Sequence, residues 1–385
     1  LLEVLAVTKI DLSGVPIIDH HAHPLLKTAE PLTLERFQGF FTESPDPVVK
    51  ARDVPHTLVW QWGLRELAGY FGCEPTPEAV LAARNARPPG ELANGMWRDQ
   101  GCAALLVDYG YRSAENFTPE ELRAALDLRV EKLFRLETFA QELIVQHPTF
   151  TRFLDAFVAG VESACQGGHV GLKSIIAYRT GLDIAWTARD DAARAFGEVK
   201  DRADRQGSIR LESKPLCDYL VLTALEIAER HETPVQFHTG FGDTDVDLRT
   251  ANPLHLRRLL HSGRFGRVRF VLLHAAYPYV RDLGYLAAMH PNVYMDISLA
   301  IPFVATLIPT VIHEALALTP VNKILYASDG FSIPEIFWLA NRWGRAALER
   351  VLGEIVDAGA LSEREAYRAG EMILHQNART VYRLA

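Results

Sequence analysis

His21 and His23 stand two residues apart at the end of a short apolar run, Val15-Pro16-Ile17-Ile18. Side chains of an extended strand alternate between its faces, so residues two apart share one. Read as a strand, the run turns Asp19, His21 and His23 one way and His20 and Ala22 the other. Two imidazoles projecting together from a strand end can hold a divalent ion such as Zn²⁺, which takes nitrogen and oxygen ligands. A polar loop would also house the three histidines, so the metal reading depends on further ligands elsewhere in the chain.

Their positions follow from the elements around them. Short, β-branched apolar runs recur after residue 100: Ala103–Val107, Lys132–Leu136, Leu172–Ala177, Val235–Phe237, Arg269–Leu273, Val293–Met295 and Lys323–Ala327. Helical patterns separate them, at Pro119–Leu128, Thr151–Cys165, Pro215–His231, Asn252–His261, Val280–His290 and Ile301–Ala317. Strand–helix alternation predicts parallel βα units. With Val15–Ile18 the strands number eight, enough to close an α/β fold of the (β/α)8 TIM-barrel type. A doubly wound open sheet is the structural competitor, but no Gly-rich phosphate loop follows the first strand.

The chain reads as a single barrel domain, residues 1–385, with one α-helical insertion after strand 1. That insertion, residues 25–101, carries Trp60, Trp62, Tyr70, Phe71 and Trp97. On the C-terminal face it would cover the site as a lid; the alternative is a peripheral packing unit. The charged stretch from Trp186 to Lys214 reads as a solvated helix face.

Barrel enzymes carry their reactive groups where strands end and loops begin. Strand ends here offer His21 and His23, Asp108, Arg135 and Glu137, Lys173, His238, His274, Asp296 and Asp329. Buried charges are costly unless paired or metal-bound, which makes packing alone a poor account of this set. Arg135 and Glu137 share a strand parity and are expected to pair facing the pocket. Arg179, near the mouth of strand four, could clamp a carboxylate with its two-pronged guanidinium or pair with a neighbour. Asp243, Asp245 and Asp247 lack the remaining spacing of a calcium loop and read as solvated loop acids.

The order His-x-His, then Lys, His, His and Asp on successive strands resembles the amidohydrolase superfamily of metal-dependent hydrolases, from Asp19 to Asn377-Ala378-Arg379. Within it, Asp19-His20-His21-Ala22-His23, Gly171-Leu172-Lys173-Ser174 and Ala177-Tyr178-Arg179-Thr180-Gly181-Leu182 are similar to the FluG-like branch. There the barrel is fused to a glutamine-synthetase-type domain, and no such domain follows in this sequence.

The resemblance implies one or two divalent ions, zinc by preference, held by His21, His23, Lys173, His238, His274 and Asp329. A bound metal lowers the pKa of its water from 15.7 to about 7, and Asp329 would accept the proton. His274 would ligate a second metal or hydrogen-bond the reacting water or substrate. Lys173 as a free ammonium has no lone pair for a metal. Carbamylated by CO₂ it would bridge two ions; otherwise it would bind a substrate anion or form an ion pair. Tyr178, Arg179, Arg135 and Glu137 form the expected substrate-binding set.

The activity implied is hydrolysis of a C–N amide bond in a small carboxylated substrate, a γ-glutamyl amide among them. Two rivals stand beside it: decarboxylation of a small unsaturated or aromatic acid at one metal, and a non-catalytic barrel scaffold. The net charge of −8 argues against nucleic-acid and anionic-membrane partners. Cys73, Cys102, Cys165 and Cys217 lack paired spacing and suit reduced thiols in a cytoplasm. The apolar opening Leu1–Leu5 has no basic n-region or small-residue cleavage site, so no secretory leader is expected. Apolar segments such as Ile333–Leu339 suit either a homo-oligomer interface or packing in the barrel shell.

Overall fold

Residues 8–27, 30–110 and 113–385 are described in a computed structural model; the opening Leu1–Leu5 lies outside them. Strands β1 (Ile17–Ala22), β2 (Cys102–Asp108), β3 (Arg129–Arg135), β4 (Gly171–Ser174), β5 (Val235–Phe237), β6 (Phe270–Leu272) and β7 (Val293–Asp296) pair in parallel, each beside its predecessor. After a two-residue spur, β8 (Ser298–Leu299), β9 (Ile324–Leu325) pairs with β7 as the eighth strand of the sheet. The segment after β9 returns to β1: the Asp329 N–H donates to His21 O at 3.0 Å and the His23 N–H to Gly330 O at 2.8 Å. Helices lie between successive strands, and the fold is the (β/α)8 barrel that the alternation predicts. No helix among the described residues is long and apolar enough to cross a membrane.

Alternation along the strands divides the core in two. Ile18, Ala104, Leu106, Leu133, Val271, Leu273 and Leu325 pack together with Ala378, Val381, Tyr382 and Leu384 of the C-terminal segment, which thereby fills the barrel interior. The opposite faces of the strands meet the surrounding helices in a larger apolar cluster.

Four helices fill the stretch between β1 and β2: α1 (Leu34–Gln38), α2 (Leu58–Phe71), α3 (Pro77–Asn85) and α4 (Pro89–Asp99). Thr33, Thr57 and Thr76 each cap a helix by accepting a backbone N–H in its first turn, satisfying a donor that has no partner within the helix. Gly72 ends α2 at φ +71°, where a side chain would be strained. Aromatic residues join this insertion to the helix Pro334–Asp357: Trp62 stacks on Trp343 with centroids 4.1 Å apart, Tyr70 meets Trp338 and Trp97 meets Phe337. Phe40 meets Phe331, two residues beyond Asp329.

The structure corrects three expectations at the strand ends. The first concerns β1, where Asp19 pairs with Leu105 and Ala22 with Val107, so three steps on β1 match two on β2. The extra residue is a β-bulge, which breaks the period of two and re-aims the side chains beyond it. His20 and His21 consequently both reach interior partners, whereas the Asp19 carboxylate accepts hydrogen bonds from the Ser328 N–H and hydroxyl. Second, β4 stops at Ser174 and turns into a 3-10 helix at Ile176–Tyr178, short of the expected Ala177. Third, β3 ends at Arg135 and a helix begins at Leu136, so Glu137 follows helical geometry and forms no pair with Arg135.

One buried ion pair fastens the insertion to the barrel: Arg84 Nε on α3 lies 2.8 Å from Glu335 Oε1. Burial pushes the Glu335 carboxyl up, with Arg84 opposing. Replacing Arg84 with Met strands that carboxylate, which should cost about 3–5 kcal/mol at neutral pH. A raised carboxyl contributes stability that is fully present below its unfolded value and is lost as pH rises from there through the raised folded value. Urea unfolding should therefore show an Arg84→Met deficit that is large at pH 7.5 and mostly gone at pH 4. An equal deficit at both pH values would contradict the assignment.

Candidate metal centre

His21 and His23 from β1 and its exit meet Asp329 from the turn after β9. His21 Nε2 lies 3.1 Å and His23 Nε2 3.3 Å from the same oxygen, Asp329 Oδ1. The three ligand atoms fall within 4.8 Å of one another. His274 follows β6 and brings Nδ1 to 3.7 Å from Asp329 Oδ2. His238 follows β5, its ring centroid 4.4 Å from that of His274. Lys173, buried on β4, places Nζ 3.1 Å from His21 Nε2. Thus His21, His23 and Asp329 form one compact group, with His274, His238 and Lys173 ranged around it.

Hydrogen-bond polarity tests whether this group fits a cation. His23 Nδ1 lies 3.2 Å from the carbonyl oxygen of Asp108, which can only accept. A neutral His23 ring therefore carries its proton on Nδ1 and turns the bare lone pair of Nε2 toward Asp329 Oδ1. His21 Nε2 faces both the Lys173 amine and the same carboxylate oxygen. His238 Nε2 is buried with no partner among the described residues. Lone pairs converging on a carboxylate repel one another unless a cation lies among them, and two imidazoles with a carboxylate suit zinc-like ions. The residues present fit a divalent metal.

Burial keeps the imidazoles of His21, His238 and His274 neutral, as ligation requires. Burial, reinforced by Lys173, holds the His21 pKa down to about 4. Burial likewise holds His238 and His274 well below the ordinary imidazole range. Burial alone would raise Asp329, but His274, His21 and His23 outweigh it and keep the carboxylate ionised. The Lys173 ammonium is pushed down to about 8 by burial, with Asp108 and Asp329 opposing. His274 and Asp329 also adopt left-handed backbone, φ 69° and 52°. Residues other than glycine hold that conformation against a cost.

Ser298 and Asp296 fix His274, with Tyr382, Gln236 and His20 packed behind them. Tyr382 Oη accepts from Gln236 Nε2 at 2.8 Å, so its own proton goes to His20 Nδ1 at 3.0 Å. His20 Nε2–H then faces Asp296 Oδ2 at 3.2 Å. Asp296 also accepts from the Ser298 hydroxyl, at 2.9 and 2.8 Å, and from the His274 backbone N–H. With the Ser298 proton committed, His274 Nδ1–H donates to Ser298 Oγ at 2.9 Å, and Nε2 is left as the unprotonated nitrogen. His20, Gln236, Ser298 and Tyr382 were not among the sequence candidates for the site. Ser298 alternates with Asp296, already a candidate at the end of β7, a signal that could have found it.

The substrate-binding candidates fall into two groups. Tyr178 packs its ring 4.4 Å from His238, and Arg179, next to it, makes no ion pair among the described residues. Its Nε is buried without a partner, and burial with the nearby Arg210 lowers the guanidinium pKa. Arg135 instead forks onto Asp108, with Nε 2.9 Å and Nη2 2.6 Å from Oδ2. Glu137 spends both oxygens on its own chain, accepting from Ser174 Oγ at 2.6 Å and from the Ile175 N–H at 3.0 Å. Arg135 and Glu137 thus brace the strand ends, and Tyr178 and Arg179 follow β4 at the same end of the barrel, Tyr178 against His238. Gly242 lies against Tyr178 and His238; a Cβ there would overlap the Tyr178 hydroxyl.

Comparison with known proteins shows the family of the chain. A model of the Amidohydrolase family matches residues 182–384. A crystal structure from Lactobacillus casei, described as that of a metal-dependent hydrolase, is 31% identical with a TM-score of 0.88, over 98% of each chain. The chain belongs to the amidohydrolase family. The FluG-like resemblance is borne out as well: "Protein fluG" of Emericella nidulans is 31% identical over 403 residues. The match takes in 96% of this chain and 46% of fluG, so this amidohydrolase spans about half the length of its curated relative. Uronate isomerase of Thermotoga maritima shares the fold, with a TM-score of 0.72 at 13% identity over 96% and 95% of the two chains.

The Arg135–Asp108 pair lies beside His23 and closes the space between β2 and β3. Replacing Arg135 with Met leaves Asp108 buried without its counter-charge and should cost about 3–5 kcal/mol in urea unfolding at neutral pH. Arg135→Lys should recover only part of that, because an ammonium cannot reproduce the fork. Full recovery by Lys would refute the two-pronged reading.

Proposed function

We propose that this amidohydrolase is a metal-dependent hydrolase that cleaves the C–N bond of a small carboxylated amide. The convergence of His21 Nε2 and His23 Nε2 on one oxygen of an ionised Asp329 carries the reading. A divalent ion, zinc by preference, would supply Lewis-acid polarisation of a carbonyl and acidify water at neutral pH. Every other role falls to the chain itself. Asp329 accepts the proton of the attacking water and returns it to the leaving nitrogen. His274, its tautomer fixed by Ser298, offers Nε2 as an acceptor that orients water or substrate. Lys173, in contact with His21, is the group whose carbamate would accommodate a second ion.

Arg179 supports a carboxylated substrate, since it follows β4 at the end of the barrel that carries the site and has no ion-pair partner among the described residues. Tyr178 beside it would fix the orientation of the bound chain. A γ-glutamyl amide is the first member of this class to try. The helices between β1 and β2 would act as the lid that excludes water, with Phe40 resting on Phe331 near Asp329. Four free cysteines suit a reducing compartment such as the cytoplasm.

The test is turnover of a panel of small carboxylated amides, with released amine and released CO₂ measured together. Amine release is expected, falling by about 10²–10⁴ in Asp329→Asn. Arg179→Met should raise KM at least tenfold, on the order of 1.4 kcal/mol of binding, with a smaller effect on kcat. CO₂ release without amine release would replace the hydrolase reading with the decarboxylase.

A further inference from the structure

Two residues of the turn that presents Asp329 hold left-handed backbone without being glycine: Asp329 itself at φ 52° and Ser332 at φ 61°. Such a conformation persists only where the surroundings over-determine it. On one side the exit of β1 supplies that constraint. The Asp329 N–H donates to His21 O at 3.0 Å, the His23 N–H to Gly330 O at 2.8 Å and the Leu26 N–H to Ser332 O at 2.8 Å. The Ser332 N–H donates to Pro24 O at 3.3 Å, so a backbone ladder binds the turn to the segment that carries His21 and His23.

The insertion meets the turn as well. Phe331 packs edge-on to Phe40, with ring centroids 6.1 Å apart. Phe40 is anchored through its neighbours in the chain, since Phe37 and Phe41 both pack on Trp60 of α2, at 5.8 and 4.9 Å between centroids. Gly330 lies against the ring of Phe337, so close that a Cβ would stand 2.4 Å from Phe337 Cγ. Trp97 of α4 backs Phe337 at 5.3 Å. The two residues that follow Asp329 are thus pressed by aromatic rings that the insertion supplies or supports. Trp62, by contrast, joins the insertion to Trp343, further along the helix Pro334–Asp357.

We propose that the insertion helps to set how tightly the metal is held: Phe40, through Phe331, is a positioning residue that keeps the Asp329 carboxylate where His21 and His23 meet it. The assignment rests on the reading that Asp329 is a metal ligand. Without the Phe40 ring the turn is free to relax toward ordinary backbone angles, and the carboxylate moves with it. The insertion then has a part in building the metal centre, beyond covering it.

Zinc affinity, measured by competition with a chromophoric chelator, tests the proposal. Phe40→Ala should weaken zinc binding about tenfold, as losses of groups that orient a ligand do. Phe40→Tyr keeps the ring and should stay within about threefold of the unmodified protein. Trp62→Leu loosens the insertion at Trp343 and should also leave the affinity within about threefold. Unchanged affinity in Phe40→Ala, no recovery in Phe40→Tyr, or a loss in Trp62→Leu as large as that in Phe40→Ala overturns the positioning role alone. If Phe40→Ala fails to fold by circular dichroism, Phe331→Leu removes the same contact from the barrel side and is read by the same limits. No zinc bound by the unmodified protein, even after reconstitution, overturns the metal reading and the positioning role together.

Discussion

Asp329 carries its negative charge in the mouth of the barrel, where burial makes an ionised carboxylate expensive. What surrounds it offsets that cost. Two imidazole nitrogens approach one of its oxygens, a third lies 3.7 Å from the other, and a buried lysine stands one contact away. Burial favours the neutral form of His21 and His274, which leaves the buried carboxylate short of positive charge. A divalent cation resolves the conflict, satisfying the nitrogens and the carboxylate at once. Much of the local structure can be understood as preparation for such an ion.

That preparation reaches well below the site. The β1 bulge lets two consecutive histidines enter the barrel, His21 toward Asp329 and His20 toward Asp296. Ser298 gives its proton to Asp296 and accepts from His274 Nδ1–H, which fixes the ring of His274, while His20, Gln236 and Tyr382 pack behind Asp296. Tyr382 comes from the same C-terminal segment that fills the barrel interior.

Strand–helix alternation, strong in the sequence, revealed the barrel and located the eight strands, because burial on both faces leaves short apolar runs separated by amphipathic helices. His21, His23 and Asp329 were legible for the same reason: reactive groups of a barrel cluster at strand ends. Strict alternation misplaced Asp19 and His20, since a one-residue bulge has no periodic signature. It also placed Glu137 on a strand when Leu136 already begins a helix.

The central claim is that His21, His23 and Asp329 bind a divalent ion in the folded protein. Elemental analysis of metal per chain, on protein purified without chelators, tests it most directly. One or two equivalents are predicted, falling to near zero in a His21→Ala, His23→Ala double variant that keeps its circular dichroism. No metal in the unmodified protein, even after reconstitution with Zn²⁺ or Mn²⁺, would contradict the account.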